Sequence, residues 1–369
     1  MEKEVFKNNV LSFTKLLSIY LNKKEASDLV IDKELLSFYV RLAKHHSLRA
    51  ILYVALKSVK ANVNEEYLKK LEEYYLLTLR KAVLFDKERN ELYEWLNSHQ
   101  VPYLPLKGII LKDYYPDPYV RELADNDILF KGKDEIVKQF FTDRKYAVKA
   151  FKTSNHDAYL KKPFYNFEMH RALFALNEDN EKIVTYFTNY LDKDILKKDF
   201  ENYLKPEDFY IYFTAHSYKH YHVSGCGLRT LLDYYLFLKN NKLDFDYINE
   251  ELAKIDLLEF SNSISSLSLK VFDDEPLNED EEEMLLYIAS SGTYGTIEHS
   301  VEKGVKEKGK FKYFCSRAFP PMSYYKIAYP RIYKTKVLIP FACLHRLLKN
   351  LRKGSHELKI ISKQKKEKD

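Results

Sequence analysis

Apolar residues recur three and four positions apart from Lys7 to about Ser98, as in Leu35-Leu36-x-Phe38-Tyr39-x-x-Leu42 and again from Leu71 to Leu79. That is the period of amphipathic helices burying one face. The period breaks at Val101-Pro-Tyr-Leu-Pro-Leu106. Two prolines there cannot continue a helix but suit a short strand leading to Gly108, which puts a boundary near residue 97. Between 100 and 175 the pattern predicts strands over Tyr103 to Leu106, Asp125 to Phe130, Tyr146 to Phe151 with Ala158 to Lys161, and Phe164 to Arg171. Helices are predicted over Ile109 to Tyr115 and Asp134 to Arg144. Such interleaving makes a small mixed sheet with helices packed on it. After about residue 176 strand signals fade, and helices recur at Pro206 to Tyr221, Leu228 to Asn240, Tyr247 to Ile255 and Glu279 to Ala289.

The predicted architecture is α+β: a helical region at 1–96, a mixed-sheet core at 97–175, a second helical region at 176–300, and C-terminal helices with a basic tail at 301–369. The acidic run Glu279 to Glu283 directly follows Asn278, which reads as a capped helix start stabilised by the helix dipole. Phe319-Pro-Pro321, Tyr329-Pro330 and Pro340 punctuate the last stretch. Within it, Lys334 to Lys353 sets an apolar stripe between basic residues, a pattern suited to burial against the body or to a membrane surface.

Composition narrows the class. The chain has 31 Tyr and 23 Phe against one Trp and nine Gly, so amphipathic rings are expected in core and cleft. Sixty basic and 54 acidic side chains leave a net charge of +6, which allows a nucleic-acid partner without implying one. Cys226, Cys315 and Cys343 form no C-x-x-C pair and no even disulfide set, as in a reducing compartment. Met1-Glu-Lys-Glu-Val opens no secretion core and no run of about 18 apolar residues occurs, so a cytoplasmic protein without a transmembrane segment is expected. The pattern specifies no oligomeric state.

The most informative stretch is Leu106-Lys-Gly-Ile-Ile-Leu111 followed by Tyr115-Pro-Asp-Pro-Tyr-Val-Arg-Glu-Leu-Ala-Asp125-Asn-Asp127-Ile-Leu-Phe130. Residues two apart on a strand face one side, so Asp125 and Asp127 bring two carboxylates together. Like charges that close persist when a cation neutralises them, and hard oxygen donors suit Mg²⁺ bridging nucleotide phosphates. An arbitrary D-x-D more often marks a turn, but the apolar Ile128-Leu-Phe130 behind this one and the Lys-Gly turn ahead of it favour a strand mouth. In Phe164-Tyr-Asn-Phe-Glu168-Met-His170, the residues Asn166, Glu168 and His170 share a face while Tyr165, Phe167 and Met169 take the other. Glu168 is therefore placed to complete a three-carboxylate, two-metal cradle.

These motifs resemble the nucleotidyltransferase superfamily related to DNA polymerase β, and within it a bacterial family with an L-K-G-x-x-L turn, Y-P-x-P-x-x-R-x-x-x-D-x-D and an E-x-H strand. The resemblance covers roughly residues 40 to 350, taking in Ala43-x-His45, His216-x-x-x-His220, Gly227-x-Arg229-x-x-x-Asp233 and Arg317-Ala-Phe-Pro-Pro321. It implies a polymerase β-like nucleotidyltransferase core at 97–175 and Mg²⁺-dependent transfer of a nucleoside monophosphate from a nucleoside triphosphate, ATP foremost, to an acceptor hydroxyl. Asp125 and Asp127 would then ligate two Mg²⁺ ions, with Glu168 ligating the second and helping to deprotonate the acceptor. Gly108 would let the chain approach the triphosphate at a helix start, and Lys107 and Arg121 would contact phosphate oxygens. The acceptor, a small molecule, a protein or an RNA end, would sit against the helices after 176, with His170, His216, His220, Arg229 and Asp233 as candidate contacts.

Plainer readings stand beside each. Most of the superfamily has Gly-Ser at the turn where this chain has Gly108-Ile109, which leaves room for a non-catalytic nucleotide-binding module. A toxin-like transferase acting on tRNA is a further alternative, which the mild net charge favours less. Lys107 and Arg121 can pair with surface acids such as Glu122, and Arg229 with Asp233 four residues on. His216, His220 and His222 have zinc-like spacing, but Ser217 stands where a metalloprotease needs its glutamate. Cys226 between two glycines reads as a small buried residue.

Overall fold

The computed structural model describes residues 3–25, 31–59, 63–175, 181–190, 196–293 and, beyond these, only 309, 338–341 and 343. The Arg317 to Pro321 and Tyr329-Pro330 motifs, Cys315, the basic tail and most of the Lys334 to Lys353 stripe lie outside the described residues.

The amphipathic start of the chain forms α1 (Lys3–Asn22), α2 (Lys33–His46), α3 (Arg49–Ser58) and the long α4 (Glu65–Ser98). Asp32 caps α2 by accepting from the Leu35 amide, and Asn64 caps α4 from Glu66, satisfying donors a helix start leaves unpaired. The sheet region follows as β1 (Tyr103–Pro105), α5 (Gly108–Leu111), β2 (Asn126–Phe130), α6 (Asp134–Asp143), β3 (Ala147–Ala150), β4 (His156–Lys161) and β5 (Tyr165–His170). Then come α7 (Glu181–Tyr190), β6 (Leu196–Lys198), β7 (Glu201–Tyr203), α8 (Pro206–Val223), α9 (Leu228–Asn240), α10 (Phe245–Lys254), α11 (Leu258–Asp273) and α12 (Glu279–Ser291).

The class is α+β: a seven-stranded mixed sheet, ordered β3-β4-β5-β2-β1-β7-β6, set among helices. Two of its strands contradict the expectation that strands end near residue 176. The β6–β7 hairpin extends the sheet by pairing β7 parallel to β1. Its strands, Leu-Lys-Lys and Glu-Asn-Tyr, are three residues each, too short for a period-two pattern to register. The helix α11, with serines spaced between its apolar positions, is a further element the pattern did not single out.

Alternation along β2 and β5 sends Ile128, Phe130, Phe167 and Met169 into an aromatic core with Phe140, Phe141 and Tyr159 beneath one face of the sheet. Phe141 and Tyr159 stack there with centroids 4.1 Å apart. The opposite face contributes Leu104, Leu106 and Leu129 to a larger core shared with α1–α3 and α8–α12. Because a strand's period is two, burying one set of residues of β2 and β5 commits Asp127, Glu168 and His170 to the helical side. The acidic run at 279–283 is a helix start with a full capping box between Asn278 and Glu281.

Candidate active site

The site is assembled by one strand pairing. β2 and β5 run parallel with Asp127 opposite Glu168 and Leu129 opposite His170. β4 runs antiparallel on the far side of β5 with His156 opposite His170. Asp125 sits one residue before β2 begins. A cleft of about 330 Å³ opens above this edge, roofed by α8 and α9, and each of the eleven candidate residues named from the sequence lines it. A larger cavity of about 650 Å³ lies between β1, β7 and α7, but it holds none of the three carboxylates. The chemistry is therefore sought in the smaller one.

Asp127 is nearly buried and fully engaged: Lys107 Nζ donates to its Oδ1 at 2.8 Å, and His170 Nε2 lies 2.8 Å from the same oxygen. Burial opposes its ionisation, but the Lys107 ammonium and the His170 hydrogen bond outweigh that and hold the carboxyl well below the usual carboxylate range. At Asp125 and Glu168 the nearby cations, Lys107 for both and Arg229 and Arg121 for Asp125, do not outweigh the opposing effects. Burial and the charge of Asp127 raise both, Glu168 to about 7. Asp125 accepts no hydrogen bond from any described residue, and Glu168 has His156 Nε2 at 3.8 Å and His170 Nε2 at 3.7 Å. Two under-neutralised acids beside a third define a place where a divalent cation would be stabilised by the protein's own field. His156, Glu168 and His170 offer donor atoms within 4.8 Å of one another.

Lys107 owes its position to an unusual backbone. Its φ of 49° and ψ of −117° suit glycine, and the strain fixes the turn between β1 and α5 so that the side chain reaches Asp127. Gly108 makes room for a different neighbour: an added Cβ would stand 2.6 Å from Arg121 Nη1 and 2.8 Å from Leu123 Cδ2.

Arg121 is committed elsewhere than to open cleft. Its Nε and Nη2 donate to the two oxygens of Asp233 at 2.8 Å each, and Tyr115 Oη donates to Asp233 Oδ1 at 2.7 Å. Arg229, rather than pairing with Asp233, donates to the Glu122 carbonyl at 2.8 Å. Together these bonds tie the 115–122 segment to α9 and so fix the approach to Asp125. On α8, His216 and His220 face each other with Nε2 atoms 3.3 Å apart. Burial holds both imidazoles neutral, His220 falling to about 4 and His216 well below its ordinary value. The pair has no third ligand among the described residues, and His222 stacks on Tyr218 instead. Cys226 is buried and its thiol is pushed up to about 12 by burial.

Two cleft residues escaped the sequence reading. His156 begins β4 within Ser-Asn-His-Asp, which reads as loop and hides the start of the strand. Lys219 lies at i+3 from His216, on the cleft face of α8, and among the described residues no carboxylate or carbonyl takes its ammonium. The i, i+3, i+4 spacing was its signal.

Acids gathered on paired strands of a mixed sheet, under a helical roof and beside lysines, form an arrangement suited to enzymes that transfer phosphorus-bearing groups. The family described as Uncharacterised nucleotidyltransferase matches residues 34–273, well over half of the chain, and the chain belongs to that family. It is a transferase of nucleotidyl groups. No curated protein and no solved structure matches it. Among the described residues no helix is long and apolar enough to cross a membrane.

Proposed function

We propose that the protein transfers a nucleoside monophosphate, with ATP as the foremost donor, to a hydroxyl of an acceptor held against α8 and α9. The observation carrying this reading is the Asp125, Asp127 and Glu168 grouping, in which burial and mutual repulsion raise two of the acids despite the cations nearby. Divalent cations, Mg²⁺ foremost, would be held by these three carboxylates and would supply charge neutralisation and in-line alignment of the α-phosphate. Glu168, titrating near 7, takes the acceptor's proton. Lys219 meets phosphate oxygens, since Arg121 is bound to Asp233 and holds the entrance loop, and Lys107 joins it once cations take over the charge of Asp127. Attack by the acceptor oxygen on the α-phosphorus forms the new phosphodiester bond and releases pyrophosphate.

Incubation with labelled nucleoside triphosphates and candidate acceptors, beside Asp125→Ala and Asp127→Ala, tests this. Labelling by the parent chain and loss in both variants is expected. Equal labelling by all three proteins would sink the proposal.

A second reading, a non-catalytic nucleotide-binding module, draws on the Lys107–Asp127 pair, in which an ammonium already neutralises one proposed ligand. Calorimetry separates the two: nucleotide binding indifferent to Mg²⁺, without product, favours the module.

A further inference from the structure

The cleft's donor set is mixed rather than purely oxygen. Three strands each place a side chain on one face: His156 on β4, Glu168 and His170 on β5, and Asp127 on β2. Direct register partnership puts the His156 and His170 rings 5.1 Å apart. Both imidazoles turn Nε2 toward the same Glu168 oxygen, at 3.8 and 3.7 Å. His170 Nε2 also lies 2.8 Å from Asp127 Oδ1, so ligation through Nε2 would replace that hydrogen bond and bring Asp127 within reach of the same ion.

Ligands around a tetrahedral ion with bonds of about 2.0–2.1 Å stand roughly 3.3 Å apart. The two separations from Glu168 exceed that by about half an ångström, and the whole donor set lies within 4.8 Å, so an ion would draw the three side chains inward. His156 and Glu168 keep 29% and 26% of their side-chain surface exposed toward the cleft, which leaves an open side for water or a phosphate oxygen. Mg²⁺ prefers oxygen donors and sheds water reluctantly, whereas imidazole nitrogen favours later first-row ions. Two imidazoles on one carboxylate therefore bias the site away from Mg²⁺.

We propose that His156, Glu168 and His170, with Asp127 alongside, bind a nitrogen-preferring divalent transition metal of the Co²⁺ or Zn²⁺ kind, filling one of the cleft's two cation positions in preference to Mg²⁺. This rests on the reading of the cleft as cation-dependent, and it assigns His156, a residue outside the three-acid pattern, as a ligand.

The test is titration of the metal-stripped full chain with Co²⁺, followed by its visible ligand-field absorption. A saturating one-to-one band is expected, displaced by equimolar Zn²⁺ and by Mg²⁺ only at about a hundredfold excess or more. His156→Ala should weaken Co²⁺ binding at least about tenfold while circular dichroism stays unchanged. If that variant does not fold, Glu168→Gln is read by the same titration, with the same loss expected. Absence of a band, displacement by Mg²⁺ as readily as by Zn²⁺, or full Co²⁺ affinity in the variant would overturn the proposal. Mg²⁺-driven transfer that persists in His156→Ala with full Co²⁺ affinity overturns this inference and leaves the transfer reading standing. An intact Co²⁺ site with no transfer from any triphosphate supports this inference and overturns the transfer reading.

Discussion

Asp127 and Glu168 are direct partners across the parallel β2–β5 pairing, yet their carboxyl groups are driven to opposite ends of the titration range. Asp127 takes the Lys107 ammonium and His170, while Glu168 is raised to about 7 by burial and by the charge of Asp127 and then Asp125. Neighbouring acids pushed apart in this way divide the labour, one permanently charged and one poised to exchange a proton. The rate of transfer should therefore rise with pH up to about 7 and level off above it, the base being inactive when protonated. Added divalent cation should move this limb to lower pH. Glu168→Gln should remove the limb and lower kcat about 10²–10⁴-fold. A pH–rate profile insensitive to that substitution would refute the assignment.

The same shift has a stability consequence. Glu168 binds its proton more tightly folded than unfolded, so its contribution is fully present below the unfolded value of 4.5 and is lost as pH rises through about 7. Above that pH the charged carboxylate opposes folding. Glu168→Gln should consequently be more stable than the parent at pH 8, by about 1–2 kcal/mol once its partial exposure to solvent is allowed for. The difference should vanish below about pH 4.5. Urea melts of both proteins at the two pH values measure this, and equal stability at pH 8 would contradict it.

Arg121 and Asp233 form a bidentate pair with side chains only 7% and 4% exposed. Arg121→Ala would leave a buried carboxylate with only the Tyr115 hydroxyl, which should cost about 3–5 kcal/mol. Replacing both partners by apolar residues should cost distinctly less, because no charge is then stranded. A double variant as unstable as the single one would show that the pair's worth is not the stranded charge.

Adjacent residues at the turn are constrained for different reasons, Gly108 by space and Lys107 by charge. Gly108→Ala would press a methyl against Arg121 and Leu123 and should destabilise by about 1–3 kcal/mol. Lys107→Gly relieves a positive φ, a gain of about 1 kcal/mol, while removing the ammonium from Asp127. The stranded charge on buried Asp127, left with His170 alone, outweighs that gain, so the variant should melt below the parent and lose transfer activity. Thermal melts with a parallel activity assay check both.

The acids were legible before the fold because their positions obey the period of a strand: Asp125-x-Asp127 and Glu168-x-His170 each put two polar groups on one face while the intervening positions fill a core. Long amphipathic helices were legible for the same reason. What stayed hidden depends on distant contacts. The β6–β7 hairpin is a strand pair only because β1 offers it an edge, and His156 belongs to the site only because β4 pairs with β5 in a particular register. Arg121 reads in sequence as a cation near two acids, and only the approach of α9 shows that Asp233 claims it.

Under the proposed transfer reading, that reassignment would leave a bound triphosphate short of one cation, and Lys219 lines the cleft where it could supply it. It lies on the cleft face of α8 between two imidazoles that burial keeps neutral, so it is the charge which that helix presents to the site. Burial and the nearby Lys107 lower its affinity for a proton, a cost that an incoming phosphate would offset. Lys219→Met should therefore raise KM for the triphosphate about tenfold or more while kcat falls less, since the contact is made in both ground and transition states. Folding stability should hold or rise slightly, because no described group loses a partner. A fall in kcat at unchanged KM would place Lys219 on the transferring phosphate alone, and unchanged kinetics would remove it from the site.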